Sequence, residues 1–177
     1  CWELRSCVER AVNTAQQNSL PAWLYSDPEF FEAERTQLFA KTWHLVCHTS
    51  DVPNSGDYHT LDLLGEKFVS VRGADGIVRS FHNVCRHRAS RLADGDSGNC
   101  GHRIVCPYHA WSYGLDGTLK NVPPWQGMEE LDLSRHGLVP LEQETGHCFI
   151  FVRMKKVRAS VAEIISDDEL EIGGAGG

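Results

Sequence analysis

The chain has 177 residues and carries 24 acidic against 17 basic residues, a net charge of −7 at pH 7. That length fits one principal domain with a core of ordinary size, and the acidic balance argues against a nucleic-acid partner, whose phosphates reward a basic face. Seven scattered cysteines (1, 7, 47, 85, 100, 106 and 148), with no charged-then-apolar leader ahead of them, point to a reducing, cytoplasmic compartment, and no apolar run approaches a membrane span of about 18 residues.

Residue 1 is Cys rather than Met and the sequence closes on EIGGAGG, so a fragment of a longer chain is expected. In chain order, Ser26 stands three residues before Glu29 with Pro28 between them. A capping box with proline in the first turn predicts a helix over 28–39, within a helical lead-in spanning 1–40. Short apolar alternations follow at 42–47, 58–64, 67–73 and 77–83, with GADG (73–76) as a hairpin turn between the last two. The same texture continues at 103–106, 111–119 with its Asp-Gly turn, 137–143 and 147–153. Strands at this spacing predict an antiparallel all-β domain over 41–154. SVAEIISDDEL (160–170) reads as a short helix within a linker or the start of a further domain over 155–177.

Two stretches carry chemistry. CRHRAS (85–90) offers Cys85 and His87, and CPYHAW (106–111) offers Cys106 and His109. The pattern is Cys-x-His, eighteen intervening residues, then Cys-x-x-His, with each pair in a loop between strands. Two facing loops of this kind present two thiolates and two imidazoles to a small inorganic cluster, and Pro107 stiffens the second loop. The same four residues also make a Cys2His2 zinc set, although zinc sites usually pair cysteine with cysteine and histidine with histidine. A further Cys-x-His, Cys100 and His102, reads as a loop cysteine and a surface histidine beside the site.

These residues resemble a Rieske-type [2Fe-2S] domain, a fold of stacked small antiparallel sheets. By that resemblance Cys85 and Cys106 bind one iron and His87 and His109 the other, and the neutral imidazoles make the cluster easier to reduce. Respiratory Rieske proteins carry a disulfide between these loops, but here Ser90 and Tyr108 stand in its place, which implies a lower potential. NVCRHRASRL and CPYHAWSYGLDGTL further resemble the α-subunits of Rieske non-haem iron oxygenases, the ring-hydroxylating and demethylating dioxygenases and monooxygenases. The likeness extends over about residues 20–153. It implies an enzyme component in which electrons pass from a ferredoxin or reductase, through the cluster, to a mononuclear iron in a following catalytic domain. Homotrimers are common in that family.

The mononuclear-iron signature Asp-x-x-His-x-x-x-x-His is missing, and the one His-x-x-x-x-His, His82 with His87, shares a residue with the cluster motif. A stand-alone Rieske ferredoxin and a zinc-stabilised interaction domain are the alternatives. Around the cluster the candidates are Arg88, Tyr108, Trp111 and Tyr113. Trp111 reads equally as a core aromatic or as packing on the loop, and Tyr113 as a hairpin filler or a donor toward a thiolate. Arg86, Arg88 and Arg103 read as solvated charges or as a dock for an acidic ferredoxin. His44 and His48 read as ordinary strand residues, and Cys148 as a small core hydrophobe.

Overall fold

Helix α1 covers Pro28–Gln37, and its N-cap is Asp27, whose carboxylate accepts the Phe30 N–H at 2.8 Å. The cap therefore falls one residue after the expected Ser26, because a carboxylate at the helix start also meets the positive end of the dipole. The chain then tightens into a 3-10 turn at Phe39–Lys41, so the helix ends before residue 39. This computed structural model describes residues 20–124, 131–155 and 160–161; the helix expected at 160–170 lies almost wholly outside them.

Ten short strands follow among the described residues: β1 (His44–His48), β2 (Asp57–Leu63), β3 (Glu66–Arg72), β4 (Val78–His82), β5 (Ser97–Asn99), β6 (Arg103–Val105), β7 (Ser112–Gly114), β8 (Leu119–Asn121), β9 (Glu142–Gly146) and β10 (Phe149–Arg153). They form three antiparallel sheets, ordered β1-β10-β9, β4-β3-β2-β5 and β6-β7-β8. Leu64 and Gly65, with φ of 52° and 86°, make the two-residue turn between β2 and β3, the left-handed pair whose twist suits a tight hairpin.

Strand β3 explains how the layers stack. Phe68, Val69, Ser70 and Val71 are all buried, so both of its faces are covered. Val69 and Val71 join the main core with Phe81, Leu92, Ile104, Trp111, Tyr113 and both motif cysteines, on the side of the β6-β7-β8 sheet. Phe68 packs instead with Leu141 and Val152, on the side of the β1-β10-β9 sheet. This is period-2 alternation in a central strand, and it seats the small sheet that carries one motif loop directly on the large one.

Two departures have local causes. The run at 137–143 is not a strand over that length: Pro140, lacking an N–H, makes only an isolated bridge with Phe81, and regular pairing begins at Glu142. Strand β5, SGN, has no apolar alternation to announce it; Gly98 lies where the Tyr58 ring passes, and a Cβ there would come within 2.7 Å of the tyrosine oxygen.

Candidate metal centre

The two motif loops are built on the same turn. In the first, Cys85 N–H donates to the Ser90 carbonyl at 2.8 Å and Ala89 N–H donates to the Cys85 carbonyl at 3.0 Å. In the second, Cys106 N–H donates to the Trp111 carbonyl at 2.8 Å and Ala110 N–H to the Cys106 carbonyl at 3.0 Å. Both turns close through an alanine in the left-handed region, Ala89 at φ 53° and Ala110 at φ 55°. Such a turn folds the main chain over the cysteine and directs N–H groups at its sulfur: that of His87 toward Cys85, and those of His109 and Tyr108 toward Cys106.

The expected ligands are brought together. Cys85 and Cys106 are 3% and 2% exposed, and each thiol feels the other. The imidazoles of His87 and His109 lie edge to face with centroids 4.8 Å apart. Both histidines are half-buried, yet their Nδ1 atoms are shut off from solvent. Among the described residues no three His, Cys, Asp or Glu side chains gather as a single ion requires. Two buried sulfurs and two buried imidazole nitrogens in separate pairs fit a cluster with one thiolate-bound and one imidazole-bound iron better than one tetrahedral ion.

Burial pushes the Cys85 thiol up; the Tyr113 hydroxyl and the His87 N–H oppose this without offsetting it. Burial also acts upward on Cys106, but the His109 and Tyr108 N–H groups, with the Cys85 thiol and the Ser90 hydroxyl, outweigh it and the net shift is downward. The two thiols titrate as a pair, and the N–H groups around them favour the thiolate form that binds metal. Burial, followed by the neighbouring His109 and Arg88, lowers His87 and favours the neutral ring that a metal needs.

Tyr113 does more than fill its hairpin. It is fully buried, accepts the Arg86 N–H at 3.1 Å, and lies 3.2 Å from Cys85 Sγ. With its oxygen already accepting, its own proton is available to the sulfur. Trp111 is both core and neighbour, 2% exposed and stacked on His87 with centroids 4.9 Å apart and planes 10° from parallel. Tyr108 stacks on His109 at 3.7 Å, and the exposed Arg88 reaches over the Tyr108 ring at 5.9 Å. Arg86 and Arg103 are exposed as well.

Sequence reading missed Ser90 as a partner of Cys106, and His136, which meets the edge of Trp111 at 6.1 Å. Neither has a local signal, since both contacts join positions distant along the chain. The second Cys-x-His does not enter the site. Cys100 Sγ donates to the Gly56 carbonyl at 3.3 Å, and His102 borders a separate hollow beside Gly73 and Asp116. His48 caps the turn at Thr49–Asp51, His44 Nε2 lies 2.6 Å from the Phe39 carbonyl oxygen, and Cys148 is exposed at the β9-β10 turn rather than in the core. The five described cysteines are all unbridged.

An open hollow of ≈540 Å³ beside the first loop is bordered by His82, Arg86, His87 and Arg88.

Residues 42–132 match the family described as "Rieske [2Fe-2S] domain". The oxygenase subunit of carnitine monooxygenase from Escherichia coli (strain K12) is 38% identical over 152 residues, covering 86% of this chain and 40% of that one. The crystal structure of the quaternary ammonium Rieske monooxygenase CntA in complex with L-carnitine superposes with a TM-score of 0.76 at 35% identity, covering 84% of this chain and 42% of that one. Naphthalene 1,2-dioxygenase from Rhodococcus sp. superposes at a TM-score of 0.80 with 28% identity, covering 93% and 38%. The chain thus spans about two fifths of the length of these relatives.

Proposed function

The chain belongs to the Rieske [2Fe-2S] domain family, and on that premise we propose that Cys85 and Cys106 hold one iron of the cluster and His87 and His109 the other. When bound there, the cluster would supply one-electron redox chemistry. The observation that carries the assignment is the pairing of two nearly identical turns, each delivering one buried sulfur and one imidazole whose Nδ1 is buried.

The protein's own groups shape that transfer. N–H groups of His87, His109 and Tyr108 and the hydroxyls of Tyr113 and Ser90 stabilise negative charge on the sulfurs, which favours the reduced state. With Nδ1 committed inward, Nε2 is the atom left on each histidine to carry a proton outward. Trp111 and Tyr108, stacked on the two rings, restrict how the imidazoles can turn.

We take residues 41–154 as the cluster domain of an oxygenase α-subunit, with 1–40 as its lead-in and 155–177 as the link to a catalytic domain. That larger protein would carry the electron from a ferredoxin or reductase to a mononuclear iron, in the cytoplasm and as a homotrimer. Support comes from relatives that are oxygenase subunits and extend well beyond this chain. The hollow beside the first loop, with Arg86 and Arg88 at its rim, suits an acidic electron donor. No helix among the described residues is long and apolar enough to cross a membrane.

The test is iron, zinc and acid-labile sulfide per chain in protein expressed from the complete natural reading frame. Two irons with two sulfides mean a Rieske carrier, and a third iron without extra sulfide means an oxygenase. Zinc without sulfide would refute the cluster.

A further inference from the structure

Asn83 lies two residues before Cys85 and is fully buried. Its main-chain N–H donates to the Lys67 carbonyl at 2.7 Å, which pins it to β3. Its side chain reaches across the base of the first loop: Nδ2 donates to the Ala93 carbonyl at 2.8 Å, and Oδ1 accepts the N–H groups of Ala93 at 2.9 Å and Leu92 at 3.2 Å. Leu92 and Ala93 are themselves buried, so these main-chain groups have no water to turn to. Between Asn83 and this pair, regular strand pairing is reduced to one isolated bridge, Val84 with Arg91.

We propose that Asn83 is the positioning residue of the first ligand loop. Its carboxamide takes the place of a strand ladder beneath residues 85–90, and so fixes the geometry and retention of the cluster. The inference rests on the ligand assignment above. The chemistry is specific: the site needs one donor and a double acceptor at a fixed reach, which a carboxamide of this length supplies. Aspartate keeps the two accepted bonds, loses the donor and buries a charge. Alanine leaves two N–H groups without their partner, each at a desolvation cost. None of the side-chain bonds ends on Cys85 or His87, so any change at the cluster is transmitted through the loop.

Asn83→Asp and Asn83→Ala are compared with Ser80→Ala in the full natural chain carrying its cluster. Ser80 is equally interior, bonded at 2.6 Å to Ser70 and at 2.5 Å to Gln143, and makes no bond to either ligand loop. The readouts are the electron paramagnetic resonance g-values of the reduced cluster and the rate at which a chelator removes iron. Both Asn83 variants should shift the g-values and speed iron loss by about tenfold or more, the equivalent of one lost hydrogen bond, while Ser80→Ala lowers thermal stability with both readouts unchanged. Wild-type g-values and release rate in Asn83→Asp, or the same changes in Ser80→Ala, would overturn the proposal. Should neither Asn83 variant fold, hydrogen exchange in the wild type decides: Leu92 and Ala93 amides that exchange only on global unfolding support the clamp, and amides that exchange as fast as an open loop refute it. A wild type without iron and sulfide would fail the ligand assignment instead, and this inference with it.

Discussion

The loop at 106–111 caps a ladder, with Val105 opposite Ser112 and Ile104 opposite Tyr113, whereas the loop at 85–90 has one isolated bridge at its base and is otherwise gripped by side chains. Asn83 holds it from within, and Arg91 holds it from outside with a bidentate pair to Asp62, at 3.0 and 3.1 Å, and a bond from Nε to the Ala93 carbonyl at 3.0 Å. The turns themselves are alike to within two degrees at their left-handed alanines. The same turn geometry is thus reached by two means. A ladder spreads its hold over many main-chain bonds that no side-chain change removes; a side-chain clamp is exposed to single substitutions, and it frees the surface beside it for Arg86, Arg88 and the open hollow.

At the sulfurs the two loops should be equivalent. On the proposed assignment, Cys85→Ser and Cys106→Ser would each remove one thiolate from the same iron, and both should abolish the cluster, read as loss of iron and sulfide from the purified protein. Retention by either would break the symmetry of the pair. Beneath the second loop, Ile104→Ala opens a cavity at a residue 3% exposed and should cost about 3 kcal/mol in chemical denaturation.

Tyr113 links the loops, since it stands on β7 beside the second and its hydroxyl serves Cys85 of the first. Tyr113→Phe removes a hydrogen bond that stabilises the more negative, reduced state, so the potential should fall. A fall on the order of 60 mV corresponds to about 1.4 kcal/mol for one electron. An unchanged potential would mean that the proton does not point at the sulfur.

Arg91→Ala should loosen the first loop alone, costing about 1 kcal/mol because its ion pair with Asp62 is partly exposed. Amide exchange should quicken at residues 85–90 and stay constant at 106–111. The smallest effects belong to Ala89→Gly and Ala110→Gly. Relief of a left-handed alanine, about 1 kcal/mol, is nearly cancelled by the added freedom of glycine in the unfolded chain. Both should lie within about 0.5 kcal/mol of wild type by the same denaturation assay.

The grouping of the four candidate residues was legible because spacing within each motif is local: Cys85 with His87 and Cys106 with His109 are near neighbours along the chain, and each pair sits on one turn. Strands β2, β3 and β4, with the GADG hairpin between the last two, were legible for the same reason, from alternation punctuated by turns. What joins distant positions was not. The Asn83 clamp spans nine and ten residues, Tyr113 meets Cys85 across 28, and Ser90 meets Cys106 across two loops. Strand β5 is polar and exposed and forms only because β2 offers it an edge, and Pro140 breaks a run whose apolar pattern alone read as strand. Tyr113 illustrates the limit best, since filling a hairpin and donating to a sulfur need the same residue and only the fold distinguishes them.

The central claim is that one iron is held by the imidazoles of His87 and His109. Labelling the histidines with nitrogen-15 and recording electron-nuclear double resonance on the reduced protein reads those bonds directly. Two labelled nitrogen couplings in the wild type, one of them lost on His109→Cys along with a fall in potential, is the predicted result. No strong histidine coupling, or two couplings that persist in His109→Cys, would contradict it.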